Sequence, residues 1–150
     1  MPIADSPLSA KLPGTWELLS RVDLDKDGEQ RIEPSLGSDP IAMLIYDRSG
    51  HFGAQFMKRD RSSVQPTDTR TAEANNSRAV GGYDAYFGEY EVDDATNVVT
   101  QRLRGALSAE SVGLVVRREM RVDDDILSIS LQTTVAGEPV TRTLIWRRIG

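Results

Sequence analysis

The chain has 150 residues and is 39% hydrophobic before its 12 glycines are counted. That is a single-domain size, able to bury roughly 68–70% of its unfolded surface. Disordered, collagenous and coiled-coil classes are disfavoured, and no run approaches the roughly 18 apolar residues of a membrane span. With 18 Lys+Arg against 23 Asp+Glu the net charge is −5, which argues against a nucleic-acid binder and against docking on an anionic membrane. There is no cysteine and one histidine, His51. Disulfides, thiol catalysis, cysteine-ligated zinc and a multi-histidine metal site within one chain are thereby excluded. Residues 1–7 carry neither a basic region nor an apolar stretch, so the expected location is cytoplasmic.

A period of two dominates the chain. Residues 14–24 read as a half-buried strand, with Trp16, Leu18, Ser20, Val22 and Leu24 facing one way and Glu17, Leu19, Arg21 and Asp23 the other. Asp25-Lys26-Asp27-Gly28 turns the chain, and a short strand near Gln30-Arg31-Ile32 ends at Pro34. Residues 42–47 and 51–57 form a hairpin about Arg48-Ser49-Gly50. A polar loop over 58–67 leads to a helix predicted from Thr67 or Asp68 to about Val80, stopped by Gly81-Gly82. Strands then resume. Over 84–92, Tyr86, Gly88, Tyr90 and Val92 share a face; over 98–104, Val99, Gln101 and Leu103 do. Over 113–122 the shared face is Val116, Arg118, Met120 and Val122, and over 126–133 it is Leu127, Ile129 and Leu131. After a turn at Gly137, the last strand covers 139–149. Eight or nine short sequential strands and one helix predict an all-β domain, either a closed up-and-down barrel or a sandwich.

Particular residues go further. Gly14-Thr15-Trp16 heads the first strand, and Leu36-Gly37-Ser38-Asp39-Pro40 precedes Leu44-Ile45-Tyr46. Gly50, Ala54, Gln55 and Met57 mark the hairpin return, and Tyr83-Asp84-Ala85-Tyr86-Phe87-Gly88-Glu89-Tyr90-Glu91-Val92 opens the second half. Arg117-Arg118 and Thr143-Leu144-Ile145-Trp146-Arg147-Arg148 complete the set. In this order, over roughly residues 12–148, the chain resembles the bacterial and fungal lipocalin-like domain family of the calycin superfamily. The resemblance implies one domain over residues 1–150, with 1–11 as an N-terminal extension. It implies an antiparallel barrel of about eight strands, closed at one end and able to hold one small ligand. It also implies that Trp16 sits at the closed end, crossed by Arg147 or Arg148 as a cation–π plug. The family has no single shared activity, and some members lie beside secondary-metabolite pathways. Two functions follow as expectations: binding of a small hydrophobic molecule in the barrel, or a cofactor-independent isomerase or cyclase acting on a polyketide- or terpenoid-like substrate. A barrel packed solid by its own side chains is a third.

Candidate sites divide between these readings. Asp23-x-Asp25-x-Asp27-Gly28 copies half of a calcium loop, but its twelfth position is Pro34, so an acidic turn is preferred. Asp123-Asp124-Asp125 reads as another turn. His51 could serve as a base near neutral pH, yet it adjoins a turn where exposure is the rule. Tyr86 and Tyr90 flank Gly88 and are expected to border a gap suited to a ligand, or else to be ordinary core. Gln101 and Arg118 share the inward parity. An inward Arg118 needs an acid, carbonyls or a ligand anion, whereas a one-residue bulge would turn it to the surface. Trp146 is expected inward with Leu144, while the directions of Tyr46, His51 and Gln55 stay open. The expected ligand set is thus Tyr86, Tyr90, Gln101, Arg118, Met120 and Trp146. The binding reading predicts a cavity of roughly a few hundred Å3 walled by Tyr86, Tyr90, Met120 and Leu127. No Gly-x-Gly-x-x-Gly follows a strand and no phosphate loop is present, so no cofactor is expected. The barrel rims and the 58–82 excursion offer surfaces for a homodimer.

Overall fold

In a computed structural model, which describes residues 6–69 and 73–150, alternation becomes a closed sheet. The elements are α1 (Leu8–Lys11), β1 (Gly14–Asp25), β2 (Gln30–Arg31), β3 (Ile41–Tyr46), β4 (His51–Met57), β5 (Tyr83–Asp93), β6 (Val98–Ala106), β7 (Val115–Asp123), β8 (Ile126–Val135) and β9 (Glu138–Arg148), with a 3-10 turn at Ala109–Ser111 before β7. Strands β3 to β9 follow one another in space. β1 pairs with β3 on one side and with β9 on the other, so eight antiparallel strands close into a barrel. β2 is an extra strand that pairs only with the end of β1. The up-and-down barrel expected from the sequence is the observed fold.

The interior has two unlike halves. At one end lie the tight β3–β4, β5–β6 and β7–β8 turns together with α1. Leu8 and Leu12 cover that end, and Trp16 is fully buried behind them, its indole N–H donating to the Leu12 carbonyl at 3.1 Å. Arg148 lies over the Trp16 ring at 4.2 Å and donates to the Pro13 and Lys11 carbonyls at 2.8 and 2.6 Å. Arg148 is therefore the plug, and Arg147 pairs with Glu17 on the outer surface. Gly14 has φ +148°, and a Cβ there would collide with the Arg148 guanidinium. This is the physical reason for glycine two residues before the tryptophan. Tyr46, Phe52, Val99, Met120, Leu127 and Trp146 fill the space above the plug.

Two expectations are corrected. The first concerns β1. Leu18 pairs with Trp146 and Ser20 with Ile145, leaving Leu19 as an extra residue in a bulge. One extra residue exchanges the faces of everything that follows. Arg21 and Asp23 thus point inward at 5% and 4% exposure, and Val22 and Leu24 point out. The second concerns the helix from Thr67 or Asp68 to Val80. Residues 70–72 lie outside the described residues, and the rest of the segment is not helical. Thr69 bridges Val80, the Gly81 amide bonds the Asp68 carbonyl, and Asn75 has φ +57°. A left-handed residue interrupts a helix, and asparagine tolerates that conformation by bonding backbone with its side chain.

Candidate ligand site

The barrel end opposite the plug is crossed by the 26–40, 58–69, 73–82 and 107–114 segments. Its interior is charged. Arg142 of β9 grips Asp23 of β1 in a two-pronged ion pair, Nε to Oδ1 and Nη2 to Oδ2, both at 2.8 Å. Its Nη1 reaches Glu73 at 3.3 Å, and all three side chains are 3–4% exposed. Arg21 lies 3.5 Å from Glu33 and donates to the Gly37 carbonyl. Glu33 in turn accepts from the amides of Ser35 and Leu36, fixing the loop that carries Leu36 over the barrel. Asp84 of β5 accepts from the Ser77 hydroxyl at 2.6 Å. Burial opposes the charge on Arg142, but the hydrogen bond to Asp23 and the fields of Glu73 and Asp23 outweigh it, so its pKa lies above the ordinary arginine value.

Between this ionic layer and the apolar half lies a cavity of about 40 Å3. Phe56, Tyr86, Leu131 and Leu144 form its apolar walls, Asp84 borders it, and Leu36 and Asn76 cover it. Arg21, Arg118 and Arg142 reach it from three strands. Arg118 differs from the other two. It is 6% exposed, and its guanidinium donates to the carbonyl of Arg117 at 3.0 Å. No carboxylate among the described residues forms an ion pair with it. Burial lowers its pKa below the ordinary arginine value, against the fields of Tyr86, Tyr46 and Glu73.

The wall beside Arg118 is incomplete. β7 and β8 pair from the turn at Asp123 and Ile126 as far as Glu119 and Ser130 and part beyond them. The chain at 73–77 fills the opening. The Asn75 carboxamide donates to the Arg117 and Gln132 carbonyls at 3.2 and 3.3 Å and accepts from the Arg117 amide at 3.0 Å. Thr133 donates to the Ala74 carbonyl at 2.6 Å, and the Ala74 amide donates to Thr134. One side chain thus stands in for the missing ladder between two strands. Beyond the ionic layer, a cleft of about 500 Å3 opens between Arg31, Glu33, Lys58, Asp68 and Glu73. A separate groove of about 370 Å3 runs along the outside of the sheet between Met43, Ile45, Phe87 and Leu107.

Of the residues expected at a ligand site, Tyr86 and Arg118 border the cavity together. Gln101 is buried in the apolar half, where it accepts from the Tyr46 hydroxyl; burial raises the Tyr46 pKa well above the ordinary value. Met120 and Trp146 are core, the latter edge-on to Phe56 at 5.8 Å. Tyr90 is half-buried at the plugged end and donates to the Asp47 carbonyl at 2.6 Å. Tyr46 therefore points inward, whereas His51 and Gln55 are exposed, and His51 contacts Ser49 far from the cavity. The expected gap beside Gly88 is absent. Phe87 and Gly88 straddle a bulge, and a Cβ on Gly88 would collide with the Arg102 carbonyl, so glycine here serves a close backbone approach. Of the expected cavity of roughly a few hundred Å3 walled by Tyr86, Tyr90, Met120 and Leu127, Tyr86 borders the small cavity, and the space beside the other three is occupied by core side chains. Asp23 is committed to Arg142, and the Asp25 carboxylate holds the following turn by accepting from the Asp27 and Glu29 amides.

Arg142, Asp84 and the inward Arg21 and Asp23 were missed. Alternation over Val140, Arg142, Leu144 and Trp146 carries a signal for Arg142. Nothing in the pattern of β1 announces its bulge. No helix among the described residues is long and apolar enough to cross a membrane. Among known families, the model of the lipocalin-like domain matches residues 13–149. No curated protein sequence matches the chain.

Proposed function

Because the chain belongs to the lipocalin-like domain family, we propose that it binds a small hydrophobic molecule inside the barrel, at the end away from the Trp16 plug. The observation that carries this reading is the cavity walled by Phe56, Tyr86, Leu131 and Leu144. In the plugged half large side chains, among them Trp16, Tyr46, Met120 and Trp146, occupy the interior. At about 40 Å3 the cavity holds about three waters at roughly 10–15 Å3 each. A larger ligand therefore enters by displacing Leu36 and Asn76 from above, and by spreading into the space their loops now cover.

Native mass spectrometry of protein purified from its own source tests this reading, with a denatured control to identify what is released. A stoichiometric small molecule is expected. A bare mass, unchanged by a panel of hydrophobic acids and phenols, would refute it. A second reading is a cofactor-independent isomerase or cyclase of secondary metabolism, acting on a polyketide- or terpenoid-like substrate. It is favoured by one arrangement: Arg118 and Tyr86 face the same small cavity, where a fixed cation would stabilise an enolate. Incubation with excess of the released compound separates the two, since only an enzyme converts it.

A further inference from the structure

Resting on that binding reading, the geometry points to the chemical class of the ligand: an apolar molecule with an anionic head, a carboxylate or an enolate, received by Arg118. Among the described residues, three arginines are buried at this end. Arg142 is matched by Asp23 and Glu73, and Arg21 by Glu33. Arg118 has the carbonyl of its own neighbour and the cavity. A guanidinium presents five donors and cannot be neutralised, so burying it without an acid is unfavourable unless something else supplies the negative charge. A structural arginine of this barrel meets a carboxylate on a neighbouring strand or loop, as the other two do. Arg118 instead meets a cavity bordered by Phe56, Tyr86, Leu131, Leu144 and Asp84, and it forms no ion pair with a carboxylate among the described residues.

The position also suits an anion sterically. Arg118 lies on β7 next to the part of the wall where β7 and β8 separate. Its bonding partner, the Arg117 carbonyl, already accepts from Asn75. A second strong acceptor in the cavity would therefore compete for Arg118 with an oxygen that is otherwise satisfied. The apolar body of such a ligand would then lie against Phe56, Leu131 and Leu144.

The test uses matched pairs of equal shape, benzoate with benzamide and decanoate with decanamide, titrated into the full-length protein by calorimetry. An ionised hydrogen-bonding partner is expected to favour each acid over its amide by at least about ten-fold. Arg118→Met should abolish that preference and Arg118→Lys should retain part of it, while Arg117→Met, on the outer face, leaves it intact. Equal binding of acids and amides, unchanged in Arg118→Met, would overturn the anionic head and leave the binding reading standing. Failure of all four compounds at millimolar concentration would overturn both. If Arg118→Met does not fold, carboxyl-labelled benzoate bound to the wild-type protein decides. Its carboxylate should stay ionised about one pH unit or more below its free value, and titration at or above the free value would overturn the proposal.

Discussion

Replacing Arg142 by methionine removes a cation that bonds both Asp23 and Glu73 inside the barrel. Asp23 loses two bonds of 2.8 Å, and Glu73 loses contacts at 3.3 and 3.4 Å. Both carboxylates have 4% of their side-chain surface exposed, so water cannot replace the arginine without opening the fold. Breaking a buried pair in this way costs about 3–5 kcal/mol. Against a typical total of about 5–15 kcal/mol, the variant should be strongly destabilised. Equilibrium urea unfolding followed by the fluorescence of Trp16 and Trp146 measures the loss, and both reporters are buried at 0% and 1% exposure. The deficit should shrink in the triple variant Arg142→Met, Asp23→Asn, Glu73→Gln, which removes both carboxylates together with the arginine. A loss below about 1 kcal/mol, as for an exposed ion pair, would refute the claim that this layer is buried and mutually dependent.

Other outcomes follow from single residues. Asn75→Ala removes three bonds across the β7–β8 opening and should cost about 1–3 kcal/mol. Hydrogen exchange at the Arg117 amide should accelerate while β3 and β4 keep their protection, and unchanged exchange at Arg117 would contradict the bridging role. Gly88→Ala should cost about 1–3 kcal/mol through overpacking. Gly53→Ala, where an added Cβ meets nothing within 4 Å, should be near neutral, and equal thermal shifts in the two would refute the bulge argument. The Asp94 pKa is held below the usual carboxylate range by the Ser9 hydroxyl and amide, which tie α1 to the β5–β6 turn. A depressed folded-state pKa contributes stability that is present above the unfolded value and is lost as pH falls through the folded value. The Ser9 amide resonance should therefore titrate with a midpoint below about 3.9, and a midpoint at or above it would refute the tie.

The sequence made the barrel legible because most strands keep a strict period of two. Val99-Gln101-Leu103, Val116-Arg118-Met120 and Leu127-Ile129-Leu131 all point inward as their alternation demands. Arg118 was legible for that reason: parity alone sends it inside. Arg21 and Asp23 were not, because β1 looks regular and its apolar Val22 and Leu24 suggest the opposite face. A bulge at Leu19 is decided by pairing with β9, which no local pattern records. The 73–80 segment misled in another way. Its composition favours a helix, but Asn75 finds better partners in the exposed backbone edges of β7 and β8. Gly88 was recognised as special for the wrong reason, since a missing side chain can admit either a ligand or a neighbouring carbonyl. Aromatic residues of inward parity, such as Tyr90 and Trp146, do not reveal whether they wall a cavity or fill it.

The central claim is that the charged, loop-covered interior is the binding site, and not the apolar groove on the outside of the sheet. Methyl-resolved NMR during titration with decanoate tests it most directly. The account predicts shifts at Leu36, Leu131 and Leu144, with Met43, Ile45 and Leu107 unmoved. Shifts confined to Met43, Ile45 and Leu107 would place the ligand on the outer face and contradict the account.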